Sequence, residues 1–198
     1  MSVSGIAAVV LAAGASRRLG TPKQVLSVGG SPLLAHVLRL CVSAGFDEQV
    51  VVLGHEAAAV REALGEWPGV RFVVNEDFAA GQSTSLKTGL LALGSRARAA
   101  ALFVGDQPEL SRRSIDAVLE VFGSGDFDVV RPRYRGVPGH PVVAARPVWP
   151  LLLRATGDSG ARAMLGGDDI RLREVELDVD PPRDIDTWED YEAIKEKW

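Results

Sequence analysis

The chain has 198 residues, 46% of them apolar and 24% charged, with a formal net charge of −4. That length gives one domain, residues 1–198, with room for a proper core, and the balance is that of a globular rather than a disordered chain. The acidic sum argues against a nucleic-acid surface, which needs a basic face; it leaves a nucleotide ligand open, because a few local cations and a metal override the overall field.

Met1 to Gly5 lack the charged start and long apolar core of a secretory signal, so a cytoplasmic protein is the default expectation. Ile6–Leu11 is an unbroken apolar run ending in Ala12-Ala13-Gly14, the pattern of a strand buried on both faces. Leu33–Ala44 carries apolar residues at Leu34, Val37, Leu38 and Cys41, the spacing of one helix face. Cys41 is the single cysteine; it has no partner for an internal disulfide and reads as a small buried hydrophobe. Val50–Leu53 predicts a second strand, Ala57–Leu64 a second helix and Val70–Val74 a third strand. Ser83–Leu93 predicts a helix opened by hydroxyl residues, Ala99–Val104 a fourth strand, and Ser111–Phe122 a helix with Ser111 as N-cap. This alternation predicts an α/β fold with a mainly parallel sheet covered on both faces.

Beyond Asp128 the pattern changes, with five prolines and two glycines between Arg131 and Pro150. Val129–Val130 and Pro141–Ala144 read as strands flanking a loop from Arg133 to Gly139. Leu172–Leu177 reads as an edge strand, and Trp188–Lys197 as a last helix. No apolar run approaches the ~20 residues of a membrane span, so no membrane partner is expected.

The first strand leads into Gly14-Ala15-Ser16-Arg17-Arg18-Leu19-Gly20-Thr21-Pro22-Lys23. Open α/β sheets bind ligands at the carboxyl ends of their strands. Gly14 and Gly20 permit a tight path and close backbone approach, and the exposed N–H groups of such a path form an anion nest. Arg17, Arg18 and Lys23 add three cations, which suits a polyphosphate. The loop lacks the Gly-x-Gly-x-x-Gly spacing of a dinucleotide fingerprint, and Gln24 stands where a Walker loop has Ser or Thr.

Val104-Gly105-Asp106-Gln107-Pro108 places an acid where the fourth strand ends, on the sheet edge of the first loop. Gly105 is expected to let a ligand approach. Asp184 and Asp186 are two apart, so an extended segment points both to one face. Magnesium takes hard oxygen ligands, usually one or two carboxylates plus phosphates and waters, and one aspartate from each segment meets that need. The competing reading is structural: Thr187 and Asp190 have the spacing of a capping box for the last helix.

These segments together resemble the molybdenum-cofactor nucleotidyltransferases, most closely their cytidylyltransferase branch. The matching pieces are Leu11-Ala12-Ala13-Gly14-x-Ser16-x-Arg18-Leu19-Gly20 with Pro22-Lys23, Gly81-x-Ser83-x-Ser85-Leu86-Lys87-x-Gly89-Leu90 and Gly105-Asp106-Gln107-Pro108. They continue through Gly136-x-Pro138-Gly139-His140-Pro141, Gly157-Asp158-x-Gly160-Ala161-Arg162 and Asp184-Ile185-Asp186-Thr187, in family order over nearly the whole chain. Leu19 stands where the family commonly has methionine, and Trp188 where it commonly has proline.

The resemblance implies a Rossmann-like nucleotidyltransferase fold in which Asp106 and Asp186 hold Mg2+. It implies that the loop of Ala12, Ala13, Gly14, Ser16, Arg17, Arg18 and Gly20, with Lys23, holds the triphosphate. Gly81, Ser83 and Ser85 would lie along the nucleoside, and His140 and Arg162 would face the acceptor. His36 and His55 match no motif. The implied substrates are CTP and molybdopterin, the product passing to a molybdoenzyme or its insertion chaperone. Ala12-Ala13-Gly14, where GTP-using relatives resemble Ala-Gly-Gly, favours CTP. The alternatives are a GTP-using transferase, a transferase for another phosphorylated small molecule, and a non-catalytic nucleotide-binding module.

Overall fold

The computed structural model describes residues 4–158 and 169–198. In chain order the first elements are β1 (Ile6–Ala12), the short β2 (Ser27–Val28) and β3 (Ser31–Pro32), α1 (Leu33–Ala44), β4 (Glu48–Leu53), α2 (Ala57–Leu64) and β5 (Val70–Val74). Then follow α3 (Gln82–Ala92), β6 (Ala99–Val104), α4 (Arg112–Ser124), β7 (Val129–Tyr134), β8 (Val137–Pro138), β9 (Val142–Ala145), α5 (Trp149–Leu152), β10 (Leu172–Leu177) and α6 (Trp188–Lys195).

The main sheet runs in the order β10-β7-β9-β6-β1-β4-β5, with β8 paired to β7. Pairings β1–β4, β1–β6, β4–β5 and β7–β10 are parallel, and β9 runs antiparallel to both β6 and β7. The sheet is mainly parallel, as the βα alternation predicts. β1 lies at its centre and is buried on both faces: Ile6, Ala8, Val10 and Ala12 pack with α1, α2 and α4, while Ala7 and Val9 pack with α3 and α5. Each fully buried valine or leucine of these two layers contributes roughly 1.5–3 kcal/mol. Cys41 lies in the first layer, 1% exposed, where burial pushes its thiol pKa upward.

Ser111 caps α4 as expected, its side chain accepting from the Ser114 N–H. α3 is not opened by its hydroxyl residues. Gly81 occupies the cap at φ 112, and the first N–H groups of α3 find distant partners: Gln82 donates to Asp158 Oδ1 at 3.2 Å and Ser83 to the Gly157 carbonyl at 3.1 Å. The stretch expected as a loop from Arg133 to Gly139 is mostly paired. β7 continues to Tyr134 and β8 folds back on it through Arg135 and Gly136, both at positive φ, a two-residue turn of the kind that matches strand twist.

A third, smaller cluster joins Val28, Leu33, Ile185, Tyr191 and Ile194. It ties the β2–β3 hairpin to α6, with the Tyr191 hydroxyl donating to the Ser27 carbonyl at 2.8 Å. The expected capping box of Thr187 and Asp190 is present. Trp188, in the place of a proline, lies edge-on to Tyr191 with ring centroids 5.7 Å apart. Leu19 is buried. No helix among the described residues is long and apolar enough to cross a membrane.

Candidate active site

β1 lies between β4 and β6, and a cleft of about 360 Å³ opens at its carboxyl end. Ala12, Ala13, Gly14, Arg17 and Lys23 line it from the first loop, Gly81 and Ser85 from α3, and Asp106 from the end of β6. The loop turns sharply after Gly14. Ser16 at φ 50 and Gly20 at φ 69 carry its left-handed positions, and the Ser16 carbonyl accepts from both Leu19 and Gly20. Gly14 itself has ordinary φ, and a Cβ there would meet no protein atom within 4 Å; what a side chain would fill is open cleft. Among the described residues, the N–H groups of Gly14, Ala15, Ser16 and Arg17 meet no protein acceptor, which leaves them free for an anion.

Gly105 lines the cleft, as expected, and strand packing needs it as well. A Cβ there would lie 2.9 Å from Ala12 Cβ and 3.0 Å from Leu34 Cδ1, so the absence of a side chain lets β6 close against β1.

Two carboxylates meet at Lys23, with a third, Asp184, nearby. The Lys23 Nζ lies 2.7 Å from Asp106 Oδ2 and 2.7 Å from Asp186 Oδ1. Ile185, with no exposure, anchors the 184–186 segment in the third cluster, and its N–H donates to the Asp106 carbonyl at 3.1 Å. That anchoring turns Asp184 and Asp186 to the same side, the alternation an extended segment requires. Asp184 accepts from Gln107 Nε2 at 2.8 Å. Burial, and then the charge of Asp106, hold the Asp184 carboxyl above its usual range. Burial works against the Lys23 ammonium, but Asp106 and then Asp186 outweigh it, so its pKa stands above the ordinary lysine value.

This corner has the donor set of a hard divalent cation. Asp106 Oδ1 is buried with no hydrogen-bond partner, and the carboxylates of Asp106 and Asp186 already share one positive charge. No group of three or more His, Cys, Asp or Glu side chains is spaced for a metal among the described residues. Two carboxylates completed by phosphate oxygens and waters is the usual arrangement for magnesium.

Other expected residues fall elsewhere. Arg18 is exposed in the turn and does not line the cleft. Ser83 is 1% exposed and does not line it either. His140 lies between β8 and β9, away from the cleft lining, its carbonyl accepting from the Tyr134 hydroxyl at 2.7 Å. The neighbouring Gly139 is required by the Tyr134 ring, which a Cβ would approach to 2.6 Å. Arg162 lies outside the described residues. His36 shares a hydrogen bond of 2.9 Å with the Val28 carbonyl and packs edge-on to Trp198, a structural role. His55 lies beside Phe78.

The cleft also contains residues that no chemical pattern singled out: Gln24, Phe78, Gln82 and Asp158. Behind its wall Asn75, 3% exposed, donates to Thr84 Oγ1 at 2.8 Å and Ser85 Oγ at 3.0 Å, fixing both hydroxyls. Asp158 follows Gly157 in one of the quoted motifs, and that placement was the available signal for it.

The profile of the MobA-like NTP transferase domain matches residues 8–175. A molybdenum cofactor cytidylyltransferase of Escherichia coli is 26% identical, over 93% of this chain and 96% of its own. Among solved structures, a Mycobacterium sp. homologue of the Mycobacterium tuberculosis protein Rv0371c superposes with a TM-score of 0.87 at 33% identity, covering 98% of this chain and 96% of that one. Rv0371c itself, solved in complex with manganese, superposes with a TM-score of 0.81 at 35% identity, covering 98% and 99%. With its Rossmann-like architecture and a family profile running through most of its length, the chain belongs to the MobA-like NTP transferase domain family.

Proposed function

We propose that this nucleotidyltransferase moves CMP from CTP to the terminal phosphate of molybdopterin, with magnesium, and releases pyrophosphate. The observation that carries the reading is the meeting of Lys23 Nζ with Asp106 and Asp186, 2.7 Å from each, beside a loop of free N–H groups. The name of the Escherichia coli relative supports cytidylyl transfer and the pterin acceptor. The manganese in the mycobacterial structure supports a divalent ion.

In this reading the N–H groups of residues 14–17 and the Arg17 guanidinium bind the triphosphate, and Lys23 neutralises part of its charge. Asp106 and Asp186 hold the magnesium ion, which when bound supplies positive charge to the α-phosphate and the leaving group. Gly81 and Ser85 lie along the nucleoside. Ser83 supports that wall through Gly157 rather than touching the ligand.

A phosphate monoester has its second pKa near ~6 and is mostly dianionic at pH 7. One of its oxygens attacks the α-phosphorus, the bond from that phosphorus to the bridging oxygen breaks, and pyrophosphate leaves with the electron pair. The nucleophile needs no general base, which accords with a cleft whose described lining contains no histidine. What the residues must do is hold two anions in line and stabilise the leaving charge.

The test is pyrophosphate release with each of the four NTPs, with and without molybdopterin, in magnesium buffer. Release that requires both substrates and is fastest with CTP is expected. Equal use of GTP would turn the assignment to a guanylyltransferase, and no release with any NTP would make the protein a nucleotide-binding module.

A further inference from the structure

Lys23 and Gln24 return across the loop that leaves β1 and tie down alternate residues of it. Gln24 Nε2 donates to the Ala12 carbonyl at 2.7 Å and to the Gly14 carbonyl at 3.2 Å. The Lys23 N–H donates to Ser16 Oγ at 3.0 Å. Between them, the Ala13 carbonyl accepts from the His55 N–H at 3.2 Å. A trans peptide is planar, so each N–H points opposite the carbonyl of the residue before it. Fixing the carbonyls of Ala12, Ala13 and Gly14 therefore fixes the directions of the Ala13, Gly14 and Ala15 N–H groups. Those of Ala13 and Ala15 point away from Gln24.

The Gln24 side chain lines the cleft and is 2% exposed. Its Oε1 is buried with no donor. An unpaired buried acceptor is unfavourable, and an apolar side chain of equal length would fill the space without it. What the amide contributes here is its pair of donors.

We propose that Gln24 is a positioning residue of the anion site. By holding the Ala12 and Gly14 carbonyls it sets the directions of the Ala13 and Ala15 N–H groups. It so aims the Ala15 N–H, one of the loop's free donors, at the triphosphate before the ligand arrives, and binding does not have to order it. The inference rests on reading the cleft as a triphosphate site. Gln24 touches no reacting atom.

Gln24→Met keeps the length and removes both donors; Gln24→Glu keeps the shape and Oε1 and replaces the donors with an acceptor. The probe is inorganic tripolyphosphate in magnesium buffer, measured by calorimetry beside steady-state kinetics and thermal melts. In both variants the Kd for tripolyphosphate should rise roughly tenfold to hundredfold, and KM for NTP should rise with it. At saturating NTP, kcat should stay within about threefold of wild type for Gln24→Met. A residue that only supports the fold would lower Tm and the active fraction while leaving the tripolyphosphate Kd and KM in place, and that result overturns the inference. Wild-type protein that fails to bind tripolyphosphate would overturn the anion reading together with it.

Discussion

Asp106→Asn separates a metal-binding carboxylate from a structural one, because the two roles predict opposite balances between stability and turnover. In the fold, Asp106 Oδ2 lies 2.7 Å from Lys23 Nζ, and the ammonium has Asp186 Oδ1 at the same distance. Asparagine removes one of two partners, and Lys23 keeps the other. The side chains of the lost pair, Lys23 and Asp106, are 13% and 22% exposed, so its loss costs more than that of a surface pair, roughly 1–3 kcal/mol, with Asp186 still on the ammonium. Part of that is returned, since the charge of Asp106 opposes ionisation of Asp184. At about 2–4 °C per kcal/mol for a chain of this size, the melting temperature should fall by no more than roughly 10 °C, leaving the fold intact. Turnover should fall far more. Losing one preorganised electrostatic group at a reacting centre costs about 10²–10³ in rate. Pyrophosphate release at saturating NTP and acceptor, with a parallel melt, measures both. A folded variant within about tenfold of wild-type turnover at modest magnesium would remove Asp106 from the metal site.

Lys23→Ala should weaken NTP use, read as a rise in KM, well beyond its effect on Tm; unchanged kinetics at limiting and saturating NTP would make Lys23 a structural ion-pair partner only. Ala13, which is 4% exposed and lines the cleft, should contribute to preference for CTP over GTP. Overfilling by one methyl costs about 1–3 kcal/mol, so Ala13→Gly should narrow the preference by roughly tenfold or more; an unaltered NTP profile would show that other residues select the base. Asp128 carries the clearest pH signature. Hydrogen bonds from the Arg171 side chain and backbone hold its pKa at about 2 against an ordinary 3.8. The folded state thus binds fewer protons than the unfolded one between those values, so this stabilisation is complete above pH 4 and fades as pH falls towards about 2. Asp128→Asn should be less stable than wild type to urea at pH 7, with the gap closing in acid; a gap independent of pH would refute the linkage.

The regular βα half of the fold was legible because buried strands and one-faced helices leave strong periodic marks. Leu33–Ala44, Ala57–Leu64, Val70–Val74 and Ala99–Val104 fall on their elements without shift. The hairpin of β7 and β8 was not legible. Pro132 and Pro138 looked like strand breakers, yet Pro132 sits inside β7 and Pro138 at the end of the two-residue β8. That Asp106 and Asp186 face one site followed from motif order together with the alternation around Ile185; that Lys23 bridges them did not, since its place after the loop pointed to the triphosphate alone. Gln24 and Asn75 act through buried and part-buried hydrogen bonds to groups 9 to 12 residues away in the chain, and no local pattern marks a buried amide as a donor rather than as loop polarity. The packing role of Gly105 was hidden for a related reason: a glycine that lines a cleft does not reveal from sequence that the neighbouring strand also needs the space.

The most direct measurement follows the phosphorus atoms. CTP labelled at the α-phosphate, incubated with magnesium, molybdopterin and the protein, should pass its label to the pterin product, and CTP labelled at the γ-phosphate should yield label only in pyrophosphate. Appearance of the γ-label on the pterin would mean phosphoryl rather than nucleotidyl transfer. Retention of both labels in CTP would mean that the cleft binds the nucleotide without transferring it.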